Sequence, residues 1–228
     1  TGASQGMGLH MAEECASLNR NVLLVSLPGE NLQKLSIDIK EKYSVQSAYF
    51  EIDLTEKNSA KNIFNWVHKN NYSIDFLINN AGFGGVGSFE DYSIEYIEKM
   101  IDLNIKATTN LTHYFIPDLK NNSPSFILNN ASMIANFPCP YKSIYAASKV
   151  YVKYFTEALK VELEVYDISV SLLQPGATPT NEVVKNQINK GGFFARLSVT
   201  EANKVAKKAV RDTLNGKSII IPGWKNRM

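Results

Sequence analysis

Hydrophobic residues along the chain fall into short runs separated by longer stretches with a single apolar face. The runs are residues 22–27, 48–52, 76–78, 126–128, 170–173 and 219–221, each rich in Val, Ile, Leu or Phe and bounded by polar or turn residues. Short runs that are apolar throughout are what strands buried on both faces require. Between them, residues 6–19, 31–43, 57–69, 93–120, 141–166 and 201–214 carry helical periodicity. Thr55 and Thr200 are candidate N-caps, and Asn215-Gly216 is a candidate helix stop. Strand and helix alternate from end to end. This predicts an α/β fold, a doubly wound parallel sheet with helices on both faces.

At roughly 150 residues per domain the length allows one large domain or two small ones. No repeat, low-complexity tract or linker divides the chain, so a single domain over residues 1–228 is expected. The segment 178–199 departs from the pattern, with Gly191-Gly192, Phe193-Phe194 and no clean period. It is either a lid over a ligand at a strand's carboxyl end or an ordinary long loop, and Phe193-Phe194 either faces a substrate or staples the loop down.

Composition narrows the partners. With 44% hydrophobic and 20% charged residues the chain is not disordered, and a formal charge of +2 gives no reason to expect nucleic acid or an anionic membrane. The basic run Lys204, Lys207, Lys208 and Arg211 reads as a solvated helix face. Cys15 and Cys139 match no CxxC pattern and read as reduced thiols, which predicts a cytoplasmic protein. His10, His68 and His113 are scattered, so no metal site is expected. No run approaches the ~18 apolar residues of a membrane span, and no signal peptide is visible.

Candidate chemistry begins at the first residue. The sequence opens Thr1-Gly2-Ala3-Ser4-Gln5-Gly6-Met7-Gly8, a GxxxGxG spacing ahead of a predicted helix and then a predicted strand. Glycines there permit a tight turn and close backbone approach to a pyrophosphate, and the helix amides face it. The context is that of a Rossmann-type sheet. In such a sheet the strand before the turn is central and lies between runs 22–27 and 76–78. An apolar strand of roughly ten residues is therefore expected ahead of Thr1.

Tyr145 and Lys149 are spaced i, i+4 and share a helix face. A nearby ammonium would lower the phenol's pKa from ~10 and make proton exchange with an alcohol or carbonyl feasible. One such pair is expected by chance in a chain with 11 Tyr, so context must support it. Ser132 follows run 126–128, where a strand meets the ligand crevice; it could hold a substrate oxygen, or simply cap its own loop.

Taken in order, these motifs resemble the short-chain dehydrogenase/reductase family. Residues 1–8 are similar to its TGxxxGxG turn, Asp53 and Leu54 to its adenine contact, and Asn79-Asn80-Ala81-Gly82 to its NNAG motif. Asn104 resembles its helix asparagine, Ser132, Tyr145 and Lys149 its catalytic set, and Pro175-Gly176 with Thr178 and Thr180 its PGxxxT segment. The stretches NNAGFGGVGSF, YAASK and IIPGWKN resemble a bacterial-type branch of ketone and acyl-chain reductases. The resemblance implies an NAD(P)-dependent oxidoreductase interconverting a carbonyl and a secondary alcohol, with a small-molecule substrate and a homodimeric or homotetrameric assembly. Asn104, Ser132, Tyr145 and Lys149 would be catalytic, Asn104 by holding a water in the proton relay. Gly2, Ser4, Gln5, Gly6, Met7, Gly8, Ser26, Leu27, Asp53, Leu54, Asn80, Ala81, Gly82, Pro175, Gly176, Thr178 and Thr180 would hold the cofactor, with Tyr145 and Lys149. A catalytically silent dinucleotide-binding regulator on the same fold is the alternative.

The end of the second strand normally chooses the dinucleotide: an acid bonds the NAD 2′-hydroxyl, and a cation accommodates the NADP 2′-phosphate. Ser26 and Leu27 stand at those positions and supply neither. With no carboxylate to repel phosphate, NADP is favoured and NAD remains possible. Lys34 could assist, or lie solvated on its helix.

Overall fold

A computed structural model describes residues 1–179 and 199–223. The strands are β1 (Val22–Ser26), β2 (Ser47–Glu51), β3 (Phe76–Asn79), β4 (Ser125–Asn130), β5 (Ile168–Leu173) and β6 (Ile219–Ile220). They alternate with helices α1 (Gly6–Ser17), α2 (Leu32–Tyr43), α3 (Ser59–Lys69), α4 (Ile94–Ile101), α5 (Thr108–Asn121), α6 (Ser143–Leu163) and α7 (Ala202–Leu214). All described pairings are parallel, in the orders β1-β2 and β3-β4-β5-β6. Residues 1–3 lie between the two sets: Ala3 N donates to Val25 O (3.2 Å) and Thr1 N to Ile78 O (2.8 Å). The expected strand ahead of Thr1 falls outside the described residues.

The central strands β4 and β5 are almost wholly buried, whereas β2 is largely half-exposed. Leu24, Leu128 and Leu173 join Met11 of α1, Leu32 and Ile39 of α2 and Val205 of α7 in one core. Their neighbours Val25 and Ile127, with Val170, point the other way, onto Ile63 of α3, Phe115 of α5 and Leu159 of α6. Alternation of side chains along each strand thus feeds two cores from one sheet layer. Each fully buried Leu or Ile contributes on the order of 1.5–3 kcal/mol.

The helix expected over residues 93–120 is present as α4 and α5, joined by a π-helical turn at Asp102–Ala107. Ser93 caps its start, accepting from Tyr96 N at 3.2 Å. The two threonine caps are not used. Thr55 donates to Asp53 Oδ1, and α3 is instead preceded by Asn58. The residue ahead of α7 is Glu201, while Thr200 N bonds Ala177 O. The stop at Asn215-Gly216 holds, with Gly216 at φ +73°. Among the described residues no helix is long and apolar enough to cross a membrane. The basic run is a face of ion pairs: Lys204 with Glu201, Lys208 with Asp212, Arg211 with Glu14. Most of segment 178–199, including Phe193-Phe194, lies outside the described residues.

Candidate active site

The glycine turn lies between the carboxyl ends of β1 and β3, and β4 runs parallel beside β3. At Gly8 a Cβ would sit 1.9 Å from Gly2 O and 2.6 Å from Asn80 Nδ2, so any side chain would drive α1 off the turn. Asn80 stitches that turn to the sheet: its N donates to Thr1 Oγ1 (3.1 Å), its Nδ2 to Thr1 O (3.1 Å) and Gly2 O (3.4 Å). Ala81 N also donates to Thr1 Oγ1 (3.1 Å). Gln5 precedes α1 without a side-chain cap, which leaves the first amides of the helix for a ligand. Asn130 Nδ2 bonds Asn80 Oδ1 at 2.9 Å, while the buried Asn130 Oδ1 has no partner among the described residues. Uncapped helix amides beside a glycine turn fit a phosphate-bearing ligand, while the orphaned Asn130 Oδ1 is an acceptor that calls for a donor such as a hydroxyl.

Ser132 follows β4 and caps its own loop. Its Oγ accepts from Ile134 N at 3.3 Å, capping a short 3₁₀ turn (Met133–Asn136), and it hydrogen-bonds the Tyr145 phenol. Pro175 O accepts from Met133 N (3.0 Å), which ties the loop after β5 to the serine. Thr178, buried in that loop, donates to Gly176 O at 3.2 Å; Thr180 lies outside the described residues.

Tyr145 and Lys149 lie one turn apart on α6, with the Lys149 Nζ 5.8 Å from the phenol ring centre. Lys149 is 5% exposed and donates to Asn130 O at 2.8 Å. Burial lowers its pKa to about 8, since no carboxylate compensates for lost water. The expected depression of the Tyr145 pKa is not found here. Burial pushes the phenol upward, and the Ser132 hydrogen bond pulls the other way without overcoming it.

Asn104 sits in the π-helical turn, 1% exposed. Its Oδ1 accepts from Phe83 N (3.0 Å) and its Nδ2 donates to Phe83 O (2.9 Å) and Ser148 Oγ (3.0 Å). The side chain is thereby spent on holding the loop after β3 against α6. A Cβ at Gly82 would lie 2.9 Å from Asn104 Oδ1 and 3.4 Å from Lys149 Nζ, which places Gly82 between them. Ser148, which donates onward to Tyr145 O (2.7 Å), and Asn130 are site residues that sequence reasoning missed.

Asp53 follows β2. Burial acts to raise its pKa, but bonds from Thr55 N (2.9 Å) and Oγ1 (2.8 Å), with Lys99 Nζ 3.8 Å away, hold it below the ordinary range. Leu54 points into the core, and its carbonyl accepts from Ser59 Oγ at 2.9 Å. Met7 likewise packs on the core, whereas Leu27 is exposed. Between Ser4 in the turn and Ser26 at the end of β1 stands a carboxylate the sequence reading did not weigh. Glu30 Oε2 accepts from Ser26 Oγ at 2.5 Å and from Ser4 Oγ, and the two hydroxyls lie 2.9 Å apart. The premise that no acid stands at this strand end therefore does not hold. Among the described residues no group of three His, Cys, Asp or Glu is placed to hold a metal ion.

Comparison with known proteins bears on the family. A family model described as short chain dehydrogenase matches residues 1–190. The chain is 32% identical over 226 residues to the 11-beta-hydroxysteroid dehydrogenase-like 3 protein of Arabidopsis thaliana, covering 98% of this chain and 72% of that one. It is 30% identical over 225 residues to a probable short-chain type dehydrogenase/reductase of Helicobacter pylori, covering 96% and 79%. Among solved structures it is similar to a short-chain dehydrogenase from Sphingobium yanoikuyae in complex with NADPH. The TM-score is 0.85 at 28% identity, over 98% of this chain and 86% of the other.

Proposed function

The chain belongs to the short-chain dehydrogenase family of oxidoreductases, and we propose that it interconverts a carbonyl and a secondary alcohol with a nicotinamide dinucleotide. One observation carries the reading: Ser132 and Lys149 lie about the Tyr145 ring, in a chain whose glycine turn leads into an uncapped helix start. When bound, the dinucleotide supplies or takes the hydride. The protein supplies position and a proton.

Gly2, Ser4, Gln5, Gly6, Met7 and Gly8 would hold the pyrophosphate by main-chain amides at the start of α1. Ser26 and Leu27 would meet the adenosine ribose, and Asp53 with the Leu54 main chain the adenine. Asn80, Ala81, Gly82, Pro175, Gly176, Thr178 and Thr180 would flank the other half, with Lys149 bonding its ribose. Tyr145 would be the general acid of reduction. Its raised pKa keeps the phenol protonated at neutral pH, ready to donate, and Ser132 would orient the substrate oxygen beside it. Asn104, bonded to Phe83 and Ser148, would act as a positioning residue for the loop after β3. The preference for NADP draws support from the NADPH-bound neighbour, whereas the Glu30 carboxylate opposes it.

Mixing the protein with NADH or NADPH and a panel of ketones, and following nicotinamide absorbance, tests the activity. Tyr145→Phe should leave dinucleotide binding nearly intact and lower kcat by about 10²–10⁴-fold, the scale of a lost general acid. A variant keeping a tenth of wild-type turnover would sink the Tyr145 assignment. Binding without turnover on any ketone would point to the silent regulator.

A further inference from the structure

The Glu30 carboxylate occupies a place that decides between two cofactors. It stands about twenty residues beyond the glycine turn, the sequence distance at which an acid that bonds the ribose 2′-hydroxyl is expected. The turn Pro28-Gly29, with Gly29 at φ +82°, folds the chain back after Leu27, so the acid returns to the end of β1. There it bridges the glycine turn and the strand through Ser4 and Ser26. Those are the two elements between which the adenosine ribose would lie. Resting on the dinucleotide reading above, we infer that Glu30 is the specificity-determining residue for the cofactor and selects NAD over NADP.

The charge around it points the same way. Among the described residues no cation pairs with Glu30, and its second oxygen takes no hydrogen bond. Glu51, in register with Ser26 across β1 and β2, adds a second carboxylate at the same edge. A ribose 2′-hydroxyl can replace a serine hydroxyl as donor to Glu30, since a carboxylate accepts and a hydroxyl donates. A 2′-phosphate brings only acceptors and negative charge to the same oxygens, and like charges at contact repel. Lys34 is a competing feature. It is exposed on α2 and lines a hollow of about 320 Å³ with Gly29, Asn31 and Glu51. Among the described residues Lys34 makes no bond to Ser4, Ser26 or Glu30, so its share in selection is separated by substitution.

Calorimetric titration of the wild-type protein with NADH and NADPH, without substrate, is the test. The wild type should bind NADH at least about tenfold more tightly than NADPH, the size of one well-placed charge contact. Glu30→Gln keeps the shape and removes the charge; it should bring the two dissociation constants to within about threefold, mainly by tightening NADPH. Equal or tighter NADPH binding by the wild type overturns the inference while leaving the dinucleotide reading standing. So does a Glu30→Gln variant that weakens both ligands alike, because that is the mark of a purely structural bridge. A ratio that moves with Lys34→Ala and not with Glu30→Gln assigns selection to the lysine and overturns it too. Failure of both dinucleotides to bind overturns the inference together with the reading it rests on.

Discussion

Lys149 is held where water does not reach it, and the folded protein carries the cost of that charge in a pH-dependent way. Its pKa is lowered from 10.5 to about 8 by burial, while in the unfolded chain it keeps the ordinary value. Below about pH 8 both states are protonated and the burial cost is carried in full. Between there and the ordinary value the unfolded chain binds more protons, so the contribution to stability rises with pH. Tyr145 acts with the opposite sign, since its raised pKa keeps a proton on the folded state; its contribution falls only as pH passes about 10. At ~1.4 kcal/mol per unit, the stability of wild type relative to Lys149→Met should rise by about 2 kcal/mol between about pH 7.5 and 9.5. Urea unfolding of both proteins across that range measures it, and a flat difference would show that Lys149 stays charged when folded. Cys15 sits at the other extreme: burial pushes its thiol up to about 12, which leaves it an inert part of the core.

At the scale of elements, the joint between α1 and the glycine turn is the tightest constraint in the site. Gly8→Ala places a methyl 1.9 Å from Gly2 O, against backbone that cannot swing aside. Overpacking of this kind costs about 1–3 kcal/mol. In a domain of this size that is a drop in Tm of roughly 2–12 °C, and dinucleotide binding should be lost with the turn. Thermal melts and a binding titration check it; an unshifted Tm would mean that α1 is not seated on Gly2. Such elements were legible from the chain because burial on two faces leaves little choice of residue: residues 22–27 became Val22–Ser26 and residues 170–173 the end of Ile168–Leu173. The π-helical turn at Asp102–Ala107 was not, because one extra residue in a turn barely disturbs an apolar stripe. Tyr145 and Lys149 announced themselves by helical spacing, but Ser148 and Asn130 earn their places only through tertiary bonds to Asn104 and Lys149. Thr55 resembled a cap until Asp53 claimed its hydroxyl. Glu30 escaped because the strand-end rule was applied to Ser26 and Leu27, while the Pro28-Gly29 turn delivered the acid from beyond them. The signal was there in an acidic residue directly after a Pro-Gly turn.

Across the whole molecule, α6 presents two faces with different obligations. One carries Tyr145 and Lys149 of the candidate site. The other exposes Tyr151, Tyr154 (64% exposed), Val161 (69%) and, just past the helix, Val165 (80%). Steps of three, four and seven residues place these side chains in one stripe. Tyr151 Oη lies 3.0 Å from Thr109 Oγ1, so the stripe abuts α5. Single exposed hydrophobic residues need no explanation, but an aligned set along one helix is a patch that water opposes. A two-fold axis would let the patch cover itself, because each residue then meets a copy of the same surface. Two helices per subunit can supply the ~1,000 Å² a stable interface needs, and each large side chain buried there contributes on the order of 1.5–3 kcal/mol. The protein should therefore be a homodimer, or a dimer of such dimers, with a light-scattering mass two or four times that of one chain at micromolar concentration. The double variant Val161→Glu, Val165→Glu should convert it to monomers while leaving far-UV circular dichroism unchanged, since both side chains already face solvent in the single chain. A wild-type mass of one chain would mean that this stripe has no self-complementary partner.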